Sequence, residues 1–440
     1  MRIKSRYTVI NSFEEGTLIY TWKNGAQVFI TKGEYSDDIT ALFSNECERI
    51  KNEDLVKLFT VDDDANEIMQ VVVNYYKNAF DPTRLSFIIM PNNICNFSCR
   101  YCYQTHDKKQ MTNEIADRFI DAVKNHYYQN GIKEFYIEWF GGEPTLSYPM
   151  IQKVTNELSD FFNQYHVIYS YGITTNGYLL DRNMADYLLS HRFKFFQITL
   201  DGGRDSHNSN RPLHNGEATW DTIFQDLMYM KNSVINDFQV AVRVNFDYQT
   251  FDTVSQLLND MQEKLDSRFT VFFHSIEKWG GENDQNFDVI EGELEPFMRK
   301  ILMDEAIKRG VEPYLNFKFF NPFGRVCYAG YPYHFTLGTD GLLRKCNEED
   351  EKIDKFNVVG TIVHGKIELN LEKWGGYALP GGIKGFNDKC LECLYLPACY
   401  GQNCPKHRIQ DEKISCPADF IVSDDILYSK YIFMASRCAK

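Results

Sequence analysis

Cys95-Asn96-Phe97-Ser98-Cys99-Arg100-Tyr101-Cys102 packs three thiols into one turn of chain, and no second cysteine-dense stretch follows for over two hundred residues. Three thiolates are one short of closing a metal site. Four-cysteine ligation is the rule for 4Fe–4S clusters, so a cube held by three leaves one iron open to another ligand. A structural zinc site and unrelated core thiols are the alternatives, and spacing alone does not separate them.

The cysteine loop follows a strand-like run, Leu85–Met90, which opens a series. Further strand-like runs are Glu134–Phe140, Val167–Ile173, Phe193–Leu200, Val240–Phe246 and Phe269–His274, with helical patterns between them. In Glu114–Tyr128, for example, Ile115, Phe119, Ala122 and Val123 share a face. Six such units predict an α/β fold with a parallel sheet curled into a partial (β/α)6 barrel, because βα alternation implies right-handed parallel crossovers. Polar motifs fall at the strand ends: Gly141-Gly142-Glu143-Pro144 after the second, Thr174-Thr175-Asn176-Gly177 after the third, Thr199-Leu200-Asp201-Gly202 closing the fourth, and Arg243-Val244-Asn245 within the fifth. In βα barrels the chemistry sits at the C-terminal ends of strands.

Three domains are expected. Residues 1–82 form a small α+β domain, with strand-like Thr17–Trp22 and Ala26–Lys32 joined by the hairpin signal Asn24-Gly25. Residues 83–312 form the partial barrel. Residues 313–440, rich in glycine, proline and cysteine, read as a loop-rich module held by metal. The 440-residue length agrees with a soft prior of roughly three domains.

A hydrophobic content of 43% and a charged content of 25% allow a large core without disulfide help. A net charge of −14 argues against nucleic acid as a partner, and solubility is reason enough for the acidity. The basic start Met1–Arg6 is followed by no long apolar run, and no stretch reaches the ~18 apolar residues of a membrane helix. The expected location is cytoplasmic, with no membrane partner. In that reducing compartment twelve cysteines read as metal ligands rather than disulfides.

The Cys-x3-Cys-x2-Cys spacing, with Tyr101 before the last cysteine, resembles the motif of the radical S-adenosylmethionine (radical SAM) enzymes. The resemblance implies that Cys95, Cys99 and Cys102 hold a catalytic 4Fe–4S cluster whose open iron is chelated by S-adenosylmethionine. Gly141-Gly142-Glu143-Pro144 is similar to the family's second motif, in which backbone and carboxylate meet the methionine amino group. Thr199-Leu200-Asp201-Gly202, continuing to His207 and Arg211, resembles the Ser-Leu-Asp-Gly…His…Arg stretch of sulfatase-maturing relatives, in which the arginine pairs with the methionine carboxylate. A guanidinium fork suits that partner. Thr199 replaces serine and keeps the hydroxyl. Asn176, Arg243 and Asn245 are assigned to the adenosyl portion on the same ground.

Cys327, Cys346, Cys390, Cys393, Cys399, Cys404 and Cys416 resemble the seven-cysteine SPASM extension, which holds two auxiliary 4Fe–4S clusters. Four residues precede Cys404 where the family has three. The interleaved pattern implies that Cys390, Cys393, Cys399 and Cys416 close one cluster and that Cys327, Cys346 and Cys404 hold the other. Tyr333 stands where sulfatase-maturing enzymes place a further thiolate. The second cluster's open iron then takes either a substrate thiolate or Cys438. Zinc is the alternative metal.

The implied chemistry is generation of a 5′-deoxyadenosyl radical that abstracts hydrogen from a substrate, with electrons from a donor such as flavodoxin or ferredoxin. Two features point away from sulfatase maturation. About ninety residues precede the cysteine loop, and they look like the winged-helix recognition domain by which peptide maturases hold a precursor's leader as an added strand. Asn347 replaces the aspartate that serves as base after the second SPASM cysteine, and an amide cannot take that proton. Glu348, Glu349 and Asp350 are nearby in sequence only. The expected function is modification of a ribosomally made precursor peptide by a thioether crosslink. Carbon–carbon crosslinking or epimerisation, sulfatase-type dehydrogenation, and a zinc-dependent interaction protein are the alternatives.

Overall fold

The computed structural model describes residues 1–278, 282–285, 287–347, 354–382 and 385–438. The chain divides into two compact units, one of Met1–Phe80, Phe317–Tyr331 and Gly376–Lys440, the other of Asp81–Asn316 and Pro332–Gly375. The stretch 313–440, expected as one domain, is therefore shared between them.

In the first unit β1 (Arg2–Lys4) pairs antiparallel with β5 (Thr60–Asp62), and β2 (Thr8–Ser12), β3 (Gly16–Thr21) and β4 (Gln27–Thr31) form an antiparallel meander. The Asn24-Gly25 turn closes β3 onto β4: Gly25 takes φ +76°, and the Asn24 side chain accepts from the Ala26 amide at 2.9 Å. Leu18, Ile19 and Tyr20 are all buried, as in a strand covered on both faces. One cover is the cluster of Ile19 and Ile30 with Ala41, Leu42, Cys47, Ile50, Leu55 and Phe59. The other comes from late in the chain. Trp22 meets Tyr395 and Phe420 edge-on, and the Tyr20 hydroxyl donates to the Phe320 carbonyl at 2.6 Å.

The second unit is built on one sheet. Its parallel strands β6 (Arg84–Ile89), β7 (Glu134–Trp139), β8 (Ile168–Thr175), β9 (Phe193–Thr199), β10 (Gln239–Phe246) and β11 (Phe269–Ser275) lie side by side in sequence order. All six match the strands expected from the sequence. Outward residues such as Phe135, Ile137 and Trp139 are buried, as are Ile115, Phe119, Ala122 and Val123 on the helix Asn113–Asn130. Thr112 caps that helix and Gly131, at φ +68°, ends it.

Four strands were not expected. β12 (His334–Leu337) pairs parallel with β6, and β13 (Leu342–Arg344), β14 (Val358–Val363) and β15 (Lys366–Leu369) continue the sheet antiparallel. The region reads as loop because these runs are three to six residues long and glycine-bounded. All four residues of β12 are buried, so it shows no alternation. No helix among the described residues is long and apolar enough to cross a membrane.

Candidate active site

The cysteine loop leaves β6 and is clamped on two sides. On one side the Gly142 amide donates to the Asn92 carbonyl (3.1 Å) and the Glu143 amide to the Ile94 carbonyl (2.7 Å). On the other, Ser98 and Arg100 donate their amides to the Pro212 and Asn210 carbonyls at 2.9 and 3.1 Å. The Arg100 guanidinium adds an ion pair to Asp247 and a 2.6 Å bond to Asn210.

The two glycines are needed by this clamp. A Cβ on Gly142 would lie 2.1 Å from the Ile94 oxygen, and one on Gly141, at φ +127°, would lie 2.5 Å from the Asn92 oxygen. Their close backbone approach is to the cysteine loop itself. Glu143 is buried, and its carboxylate accepts from the Thr145 amide (2.9 Å) and hydroxyl (2.5 Å), the Thr175 hydroxyl (2.7 Å) and the Asn176 amide (2.7 Å). Oε2 carries only the Asn176 bond, so one acceptor position there is left for an ammonium group. Burial raises the Glu143 pKa, against these donors.

Cys95, Cys99 and Cys102 face a cavity of ≈ 180 Å³, which is also lined by Tyr101, Gly141, Gly142, Glu143, Asn176, Thr199, Arg211, Arg243 and Asn245. Every cofactor-binding candidate from the sequence borders this one space. Burial pushes Cys95 up to about 11 and Cys99 up to about 12. Burial also raises Cys102, but His106, whose Nε2 lies at 3.4 Å, together with the Gln104 backbone and Arg211 holds that thiol below its ordinary value. Asn176 reaches into the loop, donating to Asn96 Oδ1 at 2.7 Å.

Beneath the thiols lies a buried polar network. The Tyr101 hydroxyl donates to Asp201 and accepts from Arg211 Nη1 (2.8 Å) and Asn245 Nδ2 (2.9 Å). It thus bridges a buried carboxylate and a buried guanidinium. Asp201 also accepts from the Asn245 amide at 2.9 Å, while Arg243 Nε donates to Asn245 Oδ1 at 2.7 Å. His207 Nδ1 accepts from the Asp201 amide (3.0 Å) and Nε2 meets Thr219 Oγ1 (3.1 Å), an arrangement for a neutral ring. Burial holds its pKa well below the ordinary value.

The donor set fits a cluster and an amino-acid carboxylate. Arg211 Nε is buried with no hydrogen-bond partner among the described residues, a donor left over for an anion. Among the described residues no three His, Cys, Asp or Glu side chains converge on one ion-sized point. A cube takes one thiolate per iron and so wants its thiols apart.

In the other unit Cys390, Cys393, Cys399 and Cys416 lie within each other's electrostatic reach. Burial raises the Cys399 pKa, against the nearby backbone amides of Gly401, Gln402 and Asn403, which favour a thiolate there. Cys327 and Cys404 belong to this unit, and Cys346 to the barrel unit. Glu348, Glu349, Asp350 and the Cys438 side chain lie outside the described residues.

Residues 89–261 match the model of the radical SAM superfamily. They are a radical SAM domain. Over 183 residues the chain is 31% identical to the radical SAM cyclopropyl synthase TigE of Paramaledivibacter caminithermalis, covering 38% of this chain and 37% of that protein. It is 26% identical over 154 residues to the serine-type anaerobic sulfatase-maturating enzyme of Klebsiella aerogenes, covering 34% and 37%. These matches span less than half the length of either relative.

The fold extends further than the sequence matches. The structure of native anSMEcpe with bound AdoMet aligns with a TM-score of 0.59 at 18% identity, over 80% of this chain and 98% of that one. Streptococcus suis SuiB bound to precursor peptide SuiA aligns at 0.50 and 17%, over 91% and 95%. The cavity also has residues that the sequence reading left out: Gln197, His274 and Glu277 on its wall, and Glu138 behind Thr174. Glu138 had one visible signal, a carboxylate one residue before the end of its strand.

Proposed function

We propose that this chain is a radical SAM peptide maturase forming thioether crosslinks. The observation that carries the radical part is the cavity shared by three thiols of one loop and the buried Arg211. Cys95, Cys99 and Cys102 would hold the 4Fe–4S cluster, Arg211 the methionine carboxylate, and Oε2 of Glu143 the amino group. When bound, the cluster and S-adenosylmethionine supply a carbon-centred radical that removes a hydrogen atom from substrate. Asn176, Thr199, Arg243 and Asn245 line the space where the nucleoside would be oriented, and the surrounding sheet limits access of water.

The peptide part is supported by the likeness in fold to SuiB, which is bound to a precursor peptide, and by Asn347 in place of the sulfatase-type base. The meander β2–β4 has β4 at an edge, open to an added leader strand. Cys390, Cys393, Cys399 and Cys416 would hold an auxiliary cluster. Assignment of Cys327, Cys346 and Cys404 to a third cluster, and of flavodoxin or ferredoxin as electron donor, rests on the family resemblance.

The test is anaerobic. Reconstituted protein with reductant and S-adenosylmethionine should release 5′-deoxyadenosine, and none would end the radical reading. Co-expression with a cysteine-containing short open reading frame, where one lies beside the gene, should give a peptide that has lost two hydrogens per crosslink and whose cysteine no longer alkylates. A crosslinked peptide whose cysteine still alkylates rules out the thioether and favours carbon–carbon bonding.

A further inference from the structure

Two carboxylates stand at the end of β7, and their surroundings differ. Glu143 receives four hydrogen bonds and serves the clamp. Glu138 receives two, from the Tyr136 hydroxyl and from Thr174 Oγ1 at 2.8 Å. No cation pairs with it among the described residues. Its side chain leans over Gly172, where a Cβ would meet Glu138 Oε2 at 2.2 Å and the Tyr136 oxygen at 2.1 Å. Gly172 therefore makes the niche that holds this carboxyl–phenol pair.

Tyr136 and Glu138 are both half-buried. Thr174, whose hydroxyl donates to Glu138 Oε1, lines the cavity containing the three thiols. Tyr136, Glu138 and Thr174 thus form a hydrogen-bonded file that ends at the reaction space. A buried carboxylate held for stability alone would have its lone pairs filled or a counter-ion beside it. We propose that Glu138, acting through the Thr174 hydroxyl, takes up the proton that a substrate group releases in the cavity. The inference rests on the peptide-modifying reading above.

The step is proton transfer only. The substrate's S–H bond breaks as a proton passes to Thr174 Oγ1. The Thr174 O–H bond breaks as its own proton passes to Oε1, leaving a substrate thiolate and a neutral Glu138. No oxidant is consumed, and the thiolate is the nucleophilic and metal-binding form.

The environment suits the task. Facing Glu138 are Tyr136 on its own strand, Ile88 on β6, and Gly172 and Thr174 on β8. Of these only Tyr136 titrates, and burial holds it well above its usual range. Burial pushes Glu138 up to about 7, against the two hydrogen bonds. A proton acceptor works best with a pKa near the working pH.

The test has two parts. First, infrared titration of the purified full-length protein without cofactor should show a neutral-carboxyl band disappearing with a midpoint near pH 7. Burial also pushes Asp226 up to about 7, so the Glu138 band is the component lost in Glu138→Gln, and its midpoint should rise in Thr174→Val. If no such band titrates near neutrality, the proposal is overturned, whatever the enzyme does. Second, with the peptide of the neighbouring reading frame, product formed per 5′-deoxyadenosine should fall about 100-fold in Glu138→Gln and Thr174→Val, the scale of general base catalysis, and recover in Thr174→Ser. An unchanged ratio in Glu138→Gln, or a serine variant no better than valine, overturns the relay. Wild-type protein that yields no 5′-deoxyadenosine refutes the radical reading instead, a result independent of the infrared midpoint.

Discussion

Gly142→Ala tests the clamp on the cysteine loop. The new Cβ would sit 2.1 Å from the Ile94 carbonyl oxygen and 2.7 Å from the Asn93 carbonyl carbon, both backbone atoms with no rotamer to turn away. Relief requires the loop to retreat by roughly 1 Å or more, judged against ordinary carbon contact distances. Overpacking of this kind costs about 1–3 kcal/mol. The retreat also strains the bonds from the Gly142 and Glu143 amides, each worth about 1 kcal/mol. The sum is about 3–5 kcal/mol, which for a unit of this size lowers Tm by roughly 10 °C. Gly131→Ala is the control, with a left-handed φ of +68° and nothing within 4 Å of the added carbon. It should cost only about 1–2 kcal/mol of backbone strain. Thermal unfolding of cofactor-free protein and iron per chain after anaerobic reconstitution measure the two consequences. If Gly142→Ala melts with its control and binds a full complement of iron, the glycines do not serve the loop and the reasoning fails.

Asp201→Asn should destabilise by about 3–5 kcal/mol, because it removes the negative charge that Tyr101 links to Arg211 and sets an amide against the Asn245 donors; denaturant titration of the cofactor-free protein measures it. Glu138 has a pH signature of its own. Its folded pKa of about 7 lies above the ordinary 4.5, so the folded state holds the extra proton and wild type loses stability as pH rises through that window. Glu138→Gln has no such loss, so between pH 4.5 and 8 the balance should move toward the variant by up to about 3 kcal/mol, and parallel urea midpoints at the two pH values would count against the burial. Tyr75→Phe removes a hydroxyl that donates to the Ala378 carbonyl and accepts from Gln402, both at 3.3 Å, and should cost about 1–3 kcal/mol in chemical denaturation. Cys416→Ala should lower bound iron by about four atoms per chain if its four-cysteine set holds one cluster; unchanged iron would place that thiol outside it.

The barrel strands were legible because each is a long apolar run with polar turns on both sides, and the motifs marked which ends carry the chemistry. β12 was not legible, since a four-residue strand buried throughout has no period to read, and β13 and β15 are three and four residues long. Glu138 was visible as a residue but not as a neighbour: only strand register shows that Gly172 leaves room for it beside Thr174. The sequence reading set the glycine pair against the methionine amino group, and the structure sets it against the backbone leading into the cysteine loop. Which backbone approaches is a tertiary fact, because Asn92 and Ile94 lie some fifty residues earlier in the chain.

The two-sided burial of β3 also orders events during synthesis. Trp22 leaves the ribosome early, yet the rings that cover it, Tyr395 and Phe420, stack on each other at 3.9 Å near the far end of the chain. At 5–20 residues per second, Trp22 waits roughly 20–75 s for Tyr395 to be made. For that interval the meander has one apolar face bare, and Cys399 and Cys416 do not yet exist. The first strands of this chain are thus covered by helical segments made much later, so nascent chains stalled before Tyr395 should be substrates for chaperones and proteases, and metal loading of that unit waits for Cys416.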